Sequence, residues 1–404
     1  MRSHFDRRTI LKGATALGSM IMAGRAWAAP KTDARLLIVF LRGAYDCANV
    51  LVPIGSDFYY QSRPTLAIAR PGANPAKPAL EAVALDVDWG LHPALRDSLL
   101  PLWQRRQIAF VPFAGTDDLT RSHFETQDTI ELGQPINSSR NFQSGFMSRL
   151  ACVLTETRPI AFTNQLPLIF QGSGTPIPNI GLNSVGKPSI DERQVALIVQ
   201  MYKDNVLGPS VEEGFHVRDE VYQSISKEGM AASRSAVSPK GFELSARRIA
   251  RLMRGGYNLA FVDVGGWDTH VNQGGGKGYL ADRLSELGRG LAGFADEIGS
   301  QAWHDTVIVV ISEFGRTFRE NGDKGTDHGH GTAYWVLGGA VRGGRILGEQ
   351  VKVTQASLFQ NRDFPVLTDY RSLLGGLFRN LYALDETKLQ DVFTAVKPMD
   401  LSLV

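Results

Sequence analysis

Short, almost unbroken apolar runs bounded by glycine, proline or polar residues constrain this chain most. Six of them read as buried strands: Leu36–Leu41, Ile108–Phe113, Leu166–Phe170, Leu259–Val264, Val307–Ile311 and Tyr334–Leu337. They lack the in–out alternation of a half-solvated strand, so both faces must be covered, as in a parallel sheet. Helical patterns lie between them. The clearest is Tyr279–Ile298, where Leu280, Leu284, Leu287, Leu291, Phe294 and Ile298 form one apolar stripe. Ala94–Arg106, Arg193–Asp204 and Glu243–Met253 are weaker helices. This alternation predicts an α/β fold in three layers, a mostly parallel central sheet with helices on both faces. Gln171–Ser189 reads as a loop or lid, and Ser226–Pro239 as a second polar, small-residue segment.

Composition excludes several classes. Of 404 residues, 43% are hydrophobic and 21% charged, which suits a globular chain and not a disordered one. The two cysteines, Cys47 and Cys152, are too few for a disulfide scaffold; they could pair in an oxidising compartment, and otherwise read as buried free thiols. The net charge of +2 hides an asymmetry: residues 1–28 carry Arg2, Arg7, Arg8, Lys12 and Arg25 against Asp6, so the remainder is about −2. A near-neutral body without a Lys or Arg run argues against nucleic acid as a partner.

Residues 1–28 themselves read as an address. Asp6-Arg7-Arg8-Thr9-Ile10-Leu11-Lys12 precedes a modest apolar run and Ala26-Trp27-Ala28. A charged start, a short apolar stretch and small residues at a cleavage point resemble a twin-arginine export signal cut near Ala28. The expectation is a periplasmic or extracellular protein handled by the twin-arginine export machinery. It has no stable membrane span in its mature form. Residues 29–404 are then expected to form a single domain with loop insertions.

In open α/β sheets ligands bind beyond the carboxyl ends of the strands. The polar residues that follow the strands are therefore the candidates. They are Asp46, the stretch Asp117–His123 with Thr120, Arg121 and Ser122, then Asp268 and His270, then Glu313 and Arg316, and the glycine-rich Asp327-His328-Gly329-His330. Four of the eight histidines fall in these clusters. Carboxylates with imidazoles, and no thiolate cluster, suit hard or borderline divalent ions. Blander readings accompany several of these residues. Arg316 could be a salt-bridge partner, Asp46 could bond its own loop, and His92 in Gly90-Leu91-His92-Pro93 reads as a core or helix-capping histidine.

The motifs Gly266-Trp267-Asp268-Thr269-His270, Ser312-Glu313-Phe314-Gly315-Arg316-Thr317, Gly325–Gly331, Arg121-Ser122-His123-Phe124 and Thr368-Asp369-Tyr370-Arg371 resemble a bacterial exported domain-of-unknown-function family. That family is similar to the alkaline phosphatase and sulfatase superfamily. The resemblance runs from about residue 34 to about residue 385 and implies an alkaline phosphatase-like fold. It implies one or two divalent ions (Zn, Mn, Mg or Ca) held by Asp46, Asp268, His270, Glu313, Asp327, His328 and His330. Glu313 is followed by Phe314, where the superfamily usually has histidine after its carboxylate. A hydroxyl nucleophile would be Ser122 or Thr120, with His123 in the catalytic set and Arg121 or Arg316 binding anionic oxygens. The implied activity is hydrolysis of a phosphate or sulfate ester on a small molecule or glycan. The alternative is a non-catalytic metal-binding or assembly protein on the same fold, and a metal-dependent oxidoreductase is a third reading.

Overall fold

A computed structural model describes residues 34–174, 176–182, 192–212, 215 and 241–404. The export address at 1–28 and the polar segment at 226–239 lie outside the described residues. The main sheet is built from β1 (Arg35–Leu41), β2 (Ile108–Gly115), β3 (Pro159–Phe162), β4 (Leu259–Val264), β5 (Thr306–Ile311), β6 (Thr332–Leu337), β7 (Arg345–Ile346) and β8 (Thr368–Asp369). Their order is β7-β2-β6-β5-β1-β4-β3, with β8 also paired to β2. β1 lies inside the sheet, parallel to β4 with Leu36 opposite Leu259 and to β5 with Leu36 opposite Val307. β6 runs antiparallel to both β5 and β2. The other pairings in the sheet are parallel.

The unbroken apolar runs follow from burial on both faces. In β1, Leu37, Val39 and Leu41 enter one core, and Leu36, Ile38 and Phe40 enter the other. The named helices are α1 (His123–Leu132), α2 (Phe146–Val153), α3 (Glu192–Tyr202), α4 (Phe242–Arg254), α5 (Tyr279–Ile298), α6 (Tyr370–Tyr382) and α7 (Glu386–Val392). The first core is closed by α4 and α5, which supply Ile249, Met253, Leu284, Leu287 and Leu291. The second is closed by α1, α2, α6 and α7, through Ile130, Phe146, Leu374, Phe378 and Val392. The expected α/β architecture with helices on both faces of a mostly parallel sheet is therefore present.

Three sequence-based expectations need correction. Leu166–Phe170 is not a strand: Leu168–Phe170 is a single 3-10 turn entered from Pro167, and the strand lies earlier at β3. Pro167 has no N–H to give to a ladder, whereas Pro159 is tolerated at the first position of an edge strand. Ala94–Arg106 is not one helix but a turn at Pro93–Leu95 and a helix at Leu100–Gln104. Pro101 lacks the N–H of a helix interior and sits instead in the first turn of the second piece. Cys152 is exposed rather than buried; Cys47 is buried, and both thiols are free. His92 is a capping histidine, as expected. Its Nδ1 accepts from Ala94 N (3.0 Å) and its Nε2 donates to Gly275 O (3.1 Å).

The strand directions place the polar loops. β1, β2, β4 and β5 run the same way, so their following loops emerge at one edge of the sheet. β6 runs against them, so the residues just before it (327–331) belong to that edge too.

Candidate functional site

Backbone contacts stitch these loops together. Thr326 N donates to Thr269 O (3.0 Å) and Gly315 N to His330 O (2.9 Å). Arg316 and His328 form an isolated antiparallel bridge. That bridge requires Gly329, because a Cβ there would lie 2.5 Å from the Arg316 carbonyl carbon. Gly43 does the same for the loop after β1. Its φ is +112°, a Cβ would lie 2.8 Å from Asp268 N, and its N–H donates to Glu313 Oε1 at 2.8 Å.

Three imidazoles and one carboxylate meet at this edge. His328 Nε2 lies 2.9 Å from His123 Nε2 and 3.1 Å from His270 Nε2. Asp268 Oδ1 lies 2.9 Å from His270 Nε2 and 3.6 Å from His328 Nε2, and its Oδ2 lies 3.6 Å from His123 Nε2. His123, Asp268 and His328 offer ligand atoms that all lie within 4.8 Å of one another. The side chains are partly open to solvent, with Asp268 44% and His270 41% exposed.

The opposite ring nitrogens fix the tautomers. His123 Nδ1 contacts Glu313 Oε1 (2.8 Å), His270 Nδ1 contacts Asp327 Oδ1 (3.0 Å), and His328 Nδ1 contacts Arg121 O (2.9 Å). Each of these partners is an acceptor. Each Nδ1 must therefore carry the proton, and in the neutral rings each Nε2 presents a lone pair. Three lone pairs and a carboxylate oxygen facing one another repel unless a positive species sits among them. Tetrahedral coordination at roughly 2.0–2.1 Å would put neighbouring nitrogens about 3.3 Å apart. His123, His328 and Asp268 thus suit one small divalent ion, with His270 beside them at His328 Nε2 and Asp268 Oδ1, and a carboxylate or carbonyl stands behind each imidazole.

The surrounding charges hold both acids ionised. Burial pushes the Glu313 carboxyl up, but hydrogen bonds from His123, Gln127 and Gly43 outweigh it and bring it below the usual range. Burial acts the same way on Asp268, where the hydrogen bond and charge of Arg316, with His270 and His123, win. Arg316 Nη1 donates to Asp268 Oδ1 at 2.6 Å. His328 is shifted down, by burial first and by its neighbour His123 second.

The other candidate residues sit around this centre in different ways. Glu313 and Asp327 stand behind His123 and His270. His330 packs its ring on Phe359, 4.8 Å between centroids. Asp46 is 1% exposed and ion-paired with Arg63, which is itself completely buried; Gln273 Nε2 also donates to Asp46 Oδ2 at 2.6 Å. Arg121 is tied to Asp363 Oδ2 (2.7 Å) and Gln360. It adopts φ +52°, and its carbonyl meets His328. Ser122 is the N-cap residue of α1, directly before His123, and makes no side-chain cap bond. Thr120 Oγ1 lies 3.4 Å from Thr126 Oγ1.

Gln127, Gln273 and Asn321 are not among the candidates legible in the sequence. Gln127 Nε2 donates to Glu313 Oε1 (2.8 Å), and Asn321 Nδ2 donates to both His270 O (3.0 Å) and Asp327 Oδ1 (3.1 Å). Gln127 lies one helical turn after His123, the spacing that puts both on one face of α1. Nothing local marks Gln273 or Asn321.

No curated protein matches the chain significantly. Among solved structures it is similar to the lipoteichoic acid synthase LtaP from Listeria monocytogenes, with 9% identity, TM-score 0.41, and coverage of 93% of this chain and 76% of that one. It is similar to Ps i-CgsB in complex with k-i-k-neocarrahexaose, with 10% identity, TM-score 0.38, and coverage of 91% and 75%. A third is a protein in the alkaline phosphatase superfamily from Vibrio parahaemolyticus, with 13% identity, TM-score 0.33, and coverage of 77% and 62%. A family model matches residues 33–393. The chain belongs to the family described as protein of unknown function DUF1501.

Proposed function

We propose that the chain is an exported metal-dependent hydrolase of phosphate or sulfate esters. One observation carries the metal: His123, His270 and His328 each spend Nδ1–H on an acceptor, His123 and His270 turn Nε2 toward His328 Nε2, and all three face Asp268. These four residues would hold the ion. A divalent ion there supplies Lewis acidity to an ester oxygen. Asp268, with Arg316 on its Oδ1, offsets part of the ionic charge. Glu313 and Asp327 orient two of the rings, and Arg121 O orients the third. Ser122 is the candidate nucleophile, since it borders His123 and its hydroxyl makes no cap bond.

The second reading, a metal-binding protein without catalysis, is favoured by a specific observation. Arg316 is 3% exposed and committed to Asp268 and Thr326, and Arg121 is committed to Asp363. Neither guanidinium is left unpaired for a substrate anion. The test is elemental analysis of the purified protein and of Asp268→Ala, followed by aryl phosphate, phosphodiester and aryl sulfate substrates. Retained divalent metal that drops in the variant, with turnover lost in Ser122→Ala at unchanged metal content, supports the hydrolase. Full metal loading with no turnover of any substrate supports the second reading. Folded protein that takes up no divalent ion removes both.

A further inference from the structure

Beneath the three imidazoles runs a directed chain of polar contacts that ends on Asp268. It starts from the Asp46–Arg63 pair, which is sealed from solvent: Arg63 Nη2 donates to Asp46 Oδ1 (3.0 Å), and Nη1 also pairs with Asp46. Gln273, with no exposed surface, donates Nε2 to Asp46 Oδ2 at 2.6 Å. That contact settles which way the amide faces, because a carboxylate accepts and cannot donate. Gln273 Oε1 must then accept, and it takes hydroxyls from Thr269 Oγ1 (2.7 Å) and Thr326 Oγ1 (2.8 Å). With its proton spent on Gln273, the Thr326 oxygen is left as an acceptor, and Arg316 Nε donates to it at 3.3 Å. Arg316 Nη2 pairs with Thr326 O, and Nη1 reaches Asp268 Oδ1 at 2.6 Å.

We infer that Gln273 is a positioning residue for the metal centre: it converts the fixed charge of Asp46 into a fixed orientation of Arg316, and through Arg316 of the Asp268 carboxylate. The inference rests on the metal reading above. Arg316 is held beside Asp268 by the Thr326 carbonyl at Nη2 and the Thr326 hydroxyl at Nε, and only the second depends on Gln273, so breaking the chain removes one of its two orienting contacts. Partners that bond a ligand directly, as Arg316 bonds Asp268, commonly change metal affinity by about ten- to a hundredfold. Gln273 itself touches none of the three imidazoles and stands outside the proposed ligand set.

The test is a double-mutant cycle on full-length protein, with Co(II) as the probe and its d–d absorption and Kd as readouts. Gln273→Met keeps the bulk and removes both polar ends; Thr326→Val removes the hydroxyl between Gln273 and Arg316. Each single variant is expected to raise the Co(II) Kd by about tenfold or more and to shift the ligand-field spectrum. The double variant is expected to be no worse than the poorer single, because both break one chain. Melting of the metal-free proteins is measured in parallel. Unchanged Kd and spectrum in Gln273→Met, whatever its melting temperature, would overturn the inference and leave Gln273 as packing. Additive losses would also overturn it. Should Gln273→Met not fold, an unchanged Kd and spectrum in Thr326→Val overturn the inference equally. Wild-type protein that binds no Co(II) sinks the metal reading and this inference together; wild-type binding with indifferent variants sinks the inference alone.

Discussion

The Asp46 carboxylate spends its oxygens on Arg63 and Gln273. Truncating one partner of a buried ion pair strands the other charge, at a cost of about 3–5 kcal/mol. Asp46→Ala should therefore lower unfolding free energy by that amount in urea titrations carried out in chelator. A penalty that vanishes once metal is stripped would instead make Asp46 a ligand. His328 touches both other imidazoles through Nε2. His328→Ala should abolish metal retention outright. Glu313→Gln, which keeps an acceptor behind His123 but removes its charge, should weaken affinity by about ten- to a hundredfold. Equilibrium dialysis separates the two, and equal losses would contradict the assignment of Glu313 behind the ligand.

The elements position the site by packing that has no chemistry of its own. α5 lays Leu284, Leu287 and Leu291 into the core beside β1 and β4 and carries none of the converging histidines. Leu287→Ala should cost about 2–5 kcal/mol through the cavity it leaves, with metal stoichiometry intact in the folded fraction. Gly43 is different, because it joins β1 to the loop that meets Asp268. Gly43→Ala forces a methyl to 2.8 Å from Asp268 N at φ +112°. About 1–3 kcal/mol of strain is expected, together with weaker metal binding, because the collision falls on the ligand's own backbone. Calorimetry with and without metal reads both. A Gly43→Ala protein with normal affinity would show that this loop is free to shift without moving Asp268.

For the molecule as a whole, pH acts on folding through His92. Burial lowers its pKa from 6.5 to about 4, against the smaller opposing pull of the Gly275 carbonyl. The folded state holds the ring neutral, whereas the unfolded chain takes up a proton below its ordinary value. The stabilisation is complete above pH 6.5, falls as pH drops through that value, and is gone near pH 4. A displacement of that size corresponds to about 3 kcal/mol. Chelated protein should lose roughly that much between those limits, and His92→Asn should flatten the dependence on pH in the same window. An unchanged slope in the variant would place the titrating group elsewhere.

Strand existence, helix α5 and the single polar edge were legible in the sequence because hydrophobic burial is local in its pattern: a segment covered on both faces must be apolar throughout, wherever it lies. Proline chemistry also acts locally, yet in Leu166–Phe170 the apolar content masks it. The centre itself was only half legible. Types and loops were readable, so Asp268, His270 and His328 stand among the sequence candidates for metal. His123 stands there as a catalytic residue, because only its 2.9 Å approach to His328 sets it among the other rings. Tertiary structure alone decided that Glu313 and Asp327 stand behind imidazoles, that Asp46 faces Arg63, and that Gln273 donates to Asp46. The physical reason is that a ring's tautomer and a carboxylate's charge depend on partners up to 270 residues away, such as Gly43 for Glu313, and no local pattern encodes such a partner.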